Sequence, residues 1–91
     1  MAIQLRVPTV LRSHTGGEKV VEGQGATIKA LLEDLDGRHG GLRDAVTTAD
    51  GSLARFVNVY LNDEDVRFLD GIDTALSDGD VVSILPAVAG G

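Results

Sequence analysis

Ninety-one residues with no cysteine, no tryptophan and a net charge of −6 are enough for one domain with one modest core, burying roughly 60–65% of the surface of the unfolded chain. The lack of cysteine removes disulfides, thiolate metal ligands and a cysteine nucleophile together. No apolar run approaches the roughly 20 residues of a membrane helix. The alternating start Met1-Ala2-Ile3-Gln4-Leu5-Arg6 lacks the basic-then-apolar order of a signal peptide, so the cytoplasm is the expected compartment.

The charge is unevenly spread. Residues 1–49 carry six acids and six bases, whereas residues 50–91 carry eight acids against Arg55 and Arg67. A phosphate-binding groove needs the opposite sign, which argues against nucleic acid as a partner. An acidic second half keeps the chain soluble and would steer a basic protein partner toward it.

In chain order, Ile3, Leu5 and Val7 alternate with Gln4 and Arg6, the pattern of a half-buried strand ending at Pro8. Residues 12–17 read as a polar, glycine-bearing turn. Lys19 to Glu22 form a second strand, which Gly23 and Gly25 close. Thr27 is placed as a helix N-cap, followed by Ile28, Leu31, Leu32 and Leu35 at the spacing of one buried helix face. Gly37, Gly40 and Gly41 end that helix. Leu42, Ala45 and Val46 suggest one further helical turn, and residues 47–53 a loop around Asp50-Gly51. Val57, Val59 and Leu61 mark a third strand, Asn62 to Asp65 a turn, and Val66-Arg67-Phe68 a return strand. Ile72, Ala75 and Leu76 suggest a tight helical turn. Asp78-Gly79-Asp80 then leads into a last strand, Val81 to Leu85. Strand, strand, helix and further strands predict an α+β domain, residues 1–85: a mixed sheet with one main helix packed across one face. Residues 86–91 form a tail.

Most catalytic constellations are missing. No G-x-S-x-G surrounds a serine. His14 and His39 lack ligand spacing and read as solvated loop residues. Gly16-Gly17-Glu18-Lys19 lacks the ending of a phosphate loop. Asn62-Asp63-Glu64-Asp65 lacks the glycine and glutamate of a calcium loop. The expectation is a chain that is not an enzyme and that binds neither metal nor cofactor.

The end of the chain is different. Pro86-Ala87-Val88-Ala89-Gly90-Gly91 carries no charged side chain. Proline stops strand pairing, and six extended residues reach roughly 20 Å. Two glycines present no side chain to a narrow channel. That shape suits a terminal carboxylate delivered into another protein's active site. By strand alternation, Phe56, Tyr60, Val81 and Leu85 fall on the sheet face away from the helix, next to the tail, and are candidate partner-binding residues.

Leu85-Pro86-Ala87-Val88-Ala89-Gly90-Gly91 after Asp78-Gly79-Asp80-Val81-Val82 resembles the ending of the ubiquitin-like sulfur carriers of the ThiS/MoaD family. Val7-Pro8-Thr9-Val10-Leu11-Arg12, His14-Thr15-Gly16-Gly17, Arg55-Phe56-Val57-Asn58-Val59-Tyr60 and Asn62-Asp63-Glu64-Asp65-Val66-Arg67-Phe68 resemble its actinobacterial cysteine-synthesis branch. The resemblance implies a β-grasp fold and a non-catalytic carrier. An E1-like, ATP-dependent enzyme would adenylate the Gly91 carboxylate and convert it to a thiocarboxylate. A PLP-dependent cysteine synthase would accept the sulfur, and a zinc metalloprotease would release cysteine. ATP, PLP and zinc then belong to the partners. The molybdopterin-synthase small subunit, a carrier for another sulfur pathway and, in a different class, a ubiquitin-like protein modifier are the alternatives that share the tail.

Overall fold

The computed structural model describes residues 2–54 and 57–86. Five strands form one sheet: β1 (Ala2–Arg6), β2 (Val20–Gln24), β3 (Val57–Leu61), β4 (Glu64–Asp65) and β5 (Val81–Pro86), in the order β2-β1-β5-β3-β4. β1 runs parallel to β5, and the other three neighbouring pairs are antiparallel. Helix α1 (Ile28–Asp36) crosses one face, with the short α2 (Leu42–Val46) beside it. This mixed sheet with a crossing helix is the predicted β-grasp arrangement.

Period-two alternation builds the sheet. Ile3, Leu5, Val21, Val59, Val82 and Ile84 are buried, while their strand neighbours Gln4, Arg6, Val20 and Leu85 are exposed. On α1, Ile28, Leu31, Leu32 and Leu35 are all buried, each worth roughly 1.5–3 kcal/mol of transfer free energy. The Thr27 hydroxyl accepts the Ala30 amide at 3.1 Å and starts the helix. Leu42 and Val46 of α2 complete the core from the side.

Four local expectations are corrected. Residues 12–17 do not form a simple turn: Thr9–Thr15 is a 3-10 helix, begun after Pro8 in extended conformation and ended at Gly16 with φ 65°. Gly23 and Gly25 do not terminate the second strand at Glu22, because β2 continues to Gln24 with Gly23 facing the core. A Cβ on Gly23 would stand 2.8 Å from Leu31 Cδ1, so that glycine is where the helix meets the sheet. The turn after β3 is only Asn62-Asp63, both left-handed at φ 50° and 79°, and the return strand is the two residues of β4.

Val66–Phe68 is accordingly a 3-10 turn. The Asp65 carboxylate accepts the Arg67 amide at 2.9 Å. The Arg67 guanidinium donates to the carbonyls of Ala54 and Val57 and to Asn58 Oδ1, each at 2.7 Å. This fork ties down the entry to β3. The other end of that strand is tied through Asn62, whose side chain donates to Asp80 and accepts the Val81 amide, both at 3.0 Å. Gly71–Asp73 forms the tight turn anticipated near Ile72.

One carboxylate clamps α1 to β2. Asp34 accepts the Gln24 amide and an Arg38 nitrogen, both at 2.9 Å, and Arg38 donates further to the Glu22 carbonyl at 3.0 Å. The Gln24 amide first, then Arg38, hold the Asp34 carboxyl below its ordinary value of 3.8. A carboxylate whose pKa falls on folding contributes stability in full above 3.8, and loses it as pH drops through the lower folded value. Asp34→Asn is therefore expected to lower the urea midpoint at neutral pH, and to narrow the gap between neutral and acid midpoints. Equal neutral midpoints for the two proteins would remove the clamp. Asp50 is held low in the same sense by the Thr48 hydroxyl and then the Ser52 amide, within the 47–53 loop.

Candidate functional site

The face of the sheet opposite α1 is uncovered. Register pairs Val20 with Arg6, Arg6 with Ser83, Ser83 with Tyr60 and Tyr60 with Asp65, so these five residues form one row across all five strands. The next row pairs Leu85 with Asn58, and the ladder ends where Pro86 meets Val57. β5 thus continues one residue into the segment assigned to the tail.

A cleft of about 670 Å³ lies at this end of the open face. Its apolar lining includes Val20 and Leu85, which remain 46% and 48% exposed in a chain this small. Tyr60 and Ser83 also line it. Arg6, Arg12 and Lys19 contribute three cations around it, against the single carboxylate of Asp63. The Arg12 Nε donates to the Val7 carbonyl at 3.2 Å, which sets the direction of that side chain. Among the described residues, the ion pairs involve only Arg38 and Arg43, so none of the three cleft cations is neutralised there.

Of the residues singled out from sequence, Tyr60 and Leu85 share the wall of this cleft. Val81 is half-buried on the same face, two residues before Ser83, and is not part of the cleft. Phe56 and Ala87, Val88, Ala89, Gly90 and Gly91 lie outside the described residues, as does the side chain of Pro86. His14 and His39 are half-buried instead of fully solvated, and no group of three or more His, Cys, Asp or Glu able to hold a metal occurs among the described residues. No helix of the described residues is long and apolar enough to cross a membrane.

Sequence reasoning passed over Arg6, Arg12 and Lys19. They belong to the half of the chain with no net charge, and three separate segments bring them together: β1, the 3-10 helix and the approach to β2. The available signal was the alternation of β1, which already put Arg6 on the face opposite the core. Of the acidic residues of the second half, only Asp63 reaches the cleft lining; Glu64 and Asp65 lie on β4, and Asp70, Asp73, Asp78 and Asp80 on the stretch leading to β5.

Comparison with known proteins agrees with this architecture. The ThiS family model matches residues 5–91. The chain is 50% identical to the sulfur carrier protein CysO of Mycobacterium tuberculosis over 93 residues, covering all of both chains. It is 37% identical to small archaeal modifier protein 3 of Haloferax volcanii, again over the full length of both. The crystal structure of the Amycolatopsis orientalis BexX/CysO complex contains a chain with 49% identity and a TM-score of 0.91, the overlap covering 98% of this chain and 99% of that one. With a family model spanning nearly every residue and relatives matched end to end, the chain belongs to the ThiS family.

Proposed function

We propose that this chain is a sulfur carrier of the CysO type, whose working group is the carboxylate of Gly91. The observation that carries the reading is the full-length match to CysO, with a family match that runs through residue 91. The geometry supports it: the central strand β5 runs to Pro86 with Leu85 exposed, and the sequence then continues as the uncharged Ala87-Val88-Ala89-Gly90-Gly91.

A carboxylate is a poor electrophile, so an ATP-dependent, E1-like enzyme activates it. The Gly91 oxygen attacks the α-phosphate and pyrophosphate leaves. A sulfur nucleophile then displaces AMP, giving the thiocarboxylate. That group is anionic at neutral pH and more nucleophilic than the carboxylate, for the reason that makes a thiolate reactive. A PLP-dependent cysteine synthase supplies the acceptor carbon. That carbon would be the β-carbon of an unsaturated amino acid from which phosphate has already left. The sulfur adds across the double bond while the α-carbon takes up a proton, giving a thioester of Gly91, and the acyl group then moves from sulfur to the freed amino group. Hydrolysis of the resulting amide by a zinc metalloprotease frees cysteine and restores the Gly91 carboxylate. The chain itself performs no catalytic step and carries no cofactor; ATP, PLP and zinc are bound by its partners, all in the cytoplasm. Tyr60, Val81 and Leu85 on the open face, with Phe56 and the tail from Pro86 onward, are the docking surface for the activating enzyme and the synthase.

Incubation with ATP, the activating enzyme and sulfide is expected to change the intact mass by exchange of one oxygen for sulfur at Gly91. An unchanged mass, with AMP released, would overturn the reading. The 37% identity to an archaeal modifier favours one second reading, a protein modifier that forms isopeptide bonds with lysines. A Gly-Gly remnant on digested target peptides would select it. Co-purification of a pterin-binding large subunit would instead select a molybdopterin-synthase role.

A further inference from the structure

The sheet face and the cleft on it carry opposite messages about a partner. The chain is strongly acidic overall, yet three of its eight basic residues surround one concavity, Arg6, Arg12 and Lys19. Arg6 stands in the row Val20–Arg6–Ser83–Tyr60, between an exposed apolar side chain and two hydroxyls. Lys19 immediately precedes Val20, and Arg12 is held by its bond to the Val7 carbonyl. None is ion-paired among the described residues. The core gains nothing from like charges gathered at one rim, and their mutual repulsion costs some stability.

We infer that this cleft receives an acidic segment of the protein that docks on the open face, seating its carboxylates among Arg6, Arg12 and Lys19 beside the root of the tail. The inference rests on the docking reading above and adds the sign of the partner's surface and its orientation. An anionic segment is attracted here, where Asp63 is the one carboxylate of the lining, and repelled by Glu64 and Asp65 of β4 at the opposite edge of the sheet. Only one rotation of the partner satisfies both edges, and that rotation fixes the direction in which the tail is presented. A steering field of mixed sign thus replaces the purely basic partner suggested by the charge of residues 50–91.

The test measures association of the activating enzyme with four versions of the chain, at low salt and at roughly 0.5 M salt, where the screening length shrinks well below 10 Å. Arg6→Glu combined with Lys19→Glu is expected to slow association by roughly 10- to 100-fold at low salt and to flatten the salt dependence. Arg6→Gln with Lys19→Gln is expected to give a smaller loss of the same kind. Lys29→Glu, on the exposed side of α1, is the control expected to bind as the parent does. Leu85→Ala tests the docking face itself. If Leu85→Ala weakens the complex and both charge variants leave affinity and salt slope unchanged, docking stands and the acidic segment is overturned. If none of the variants changes binding, the docking reading falls as well. Faster association of the Glu variants would show that the seated surface is basic, which also overturns the inference.

Discussion

Deleting Gly91 is expected to abolish sulfur transfer while leaving the fold as stable as before. The buried apolar core is drawn from residues between Ile3 and Ile84, so thermal and urea midpoints should not move. The chemistry should stop because the reacting carbon retreats by about one residue length, ~3.5 Å. A misplacement of even 1 Å at a reacting centre can cost about 10²-fold in rate, and here the adenylation and acceptor steps would both be displaced. Thiocarboxylate formation is followed by intact mass and cysteine production by turnover with the synthase; both should fall at least about 10²-fold. A shortened chain that accepts sulfur at the parental rate would show that Gly91 is not the carrier group. Gly91→Ala keeps the length and adds one methyl, so a loss there would report the width of the partner's channel instead of its depth.

The second large effect concerns stability. Gly25 connects β2 to α1, and a Cβ added to it would lie 2.5 Å from the Leu31 nitrogen, 2.8 Å from the Ala30 carbonyl carbon and 2.9 Å from the Leu31 Cα. These are backbone atoms inside a helix, and they cannot turn aside as a side chain can. Gly25→Ala must therefore lift α1 away from the sheet, an overpacking cost of about 3 kcal/mol. For a domain of this size that is a fall in Tm of roughly 10–20 °C, and a large share of a stability of about 5–10 kcal/mol. Gly23→Ala should cost less, because its obstacles are the ends of the Leu31 and Leu35 side chains at 2.8 and 2.9 Å. Gly40→Ala meets nothing within 4 Å and has no left-handed backbone, so it should be close to neutral. An unchanged Tm for Gly25→Ala would remove the close approach as the reason for this glycine.

These glycines also show where a linear reading loses information. The stripe of Ile28, Leu31, Leu32 and Leu35 and the alternation of Ile3, Leu5 and Val7 are local periodicities, and the structure places all seven side chains in the core. Gly23 looks the same in sequence whether it ends a strand or makes room for a helix. The difference lies in Leu31 and Leu35, which reach it only after the chain has folded. Val66-Arg67-Phe68 fits a strand by composition. Three bonds from the Arg67 side chain to Ala54, Val57 and Asn58 turn it into a 3-10 segment instead. At the site, Tyr60 and Leu85 were accessible through strand period. The charge around them was not, because it comes from three segments joined only by β1–β2 pairing and the 3-10 helix.

The position of β5 has a mechanical side. It is hydrogen-bonded to β1 on one flank and to β3 on the other, and it is also the strand that continues toward Gly91. A pull along the tail therefore loads both ladders in shear, so many bonds share the force instead of opening one at a time, as they would at a peeled edge. An enzyme that drew the terminus into a channel would pull against the central strand of the sheet, paired on both flanks. Force applied through the last residues would then be borne by the sheet without unravelling it from that end.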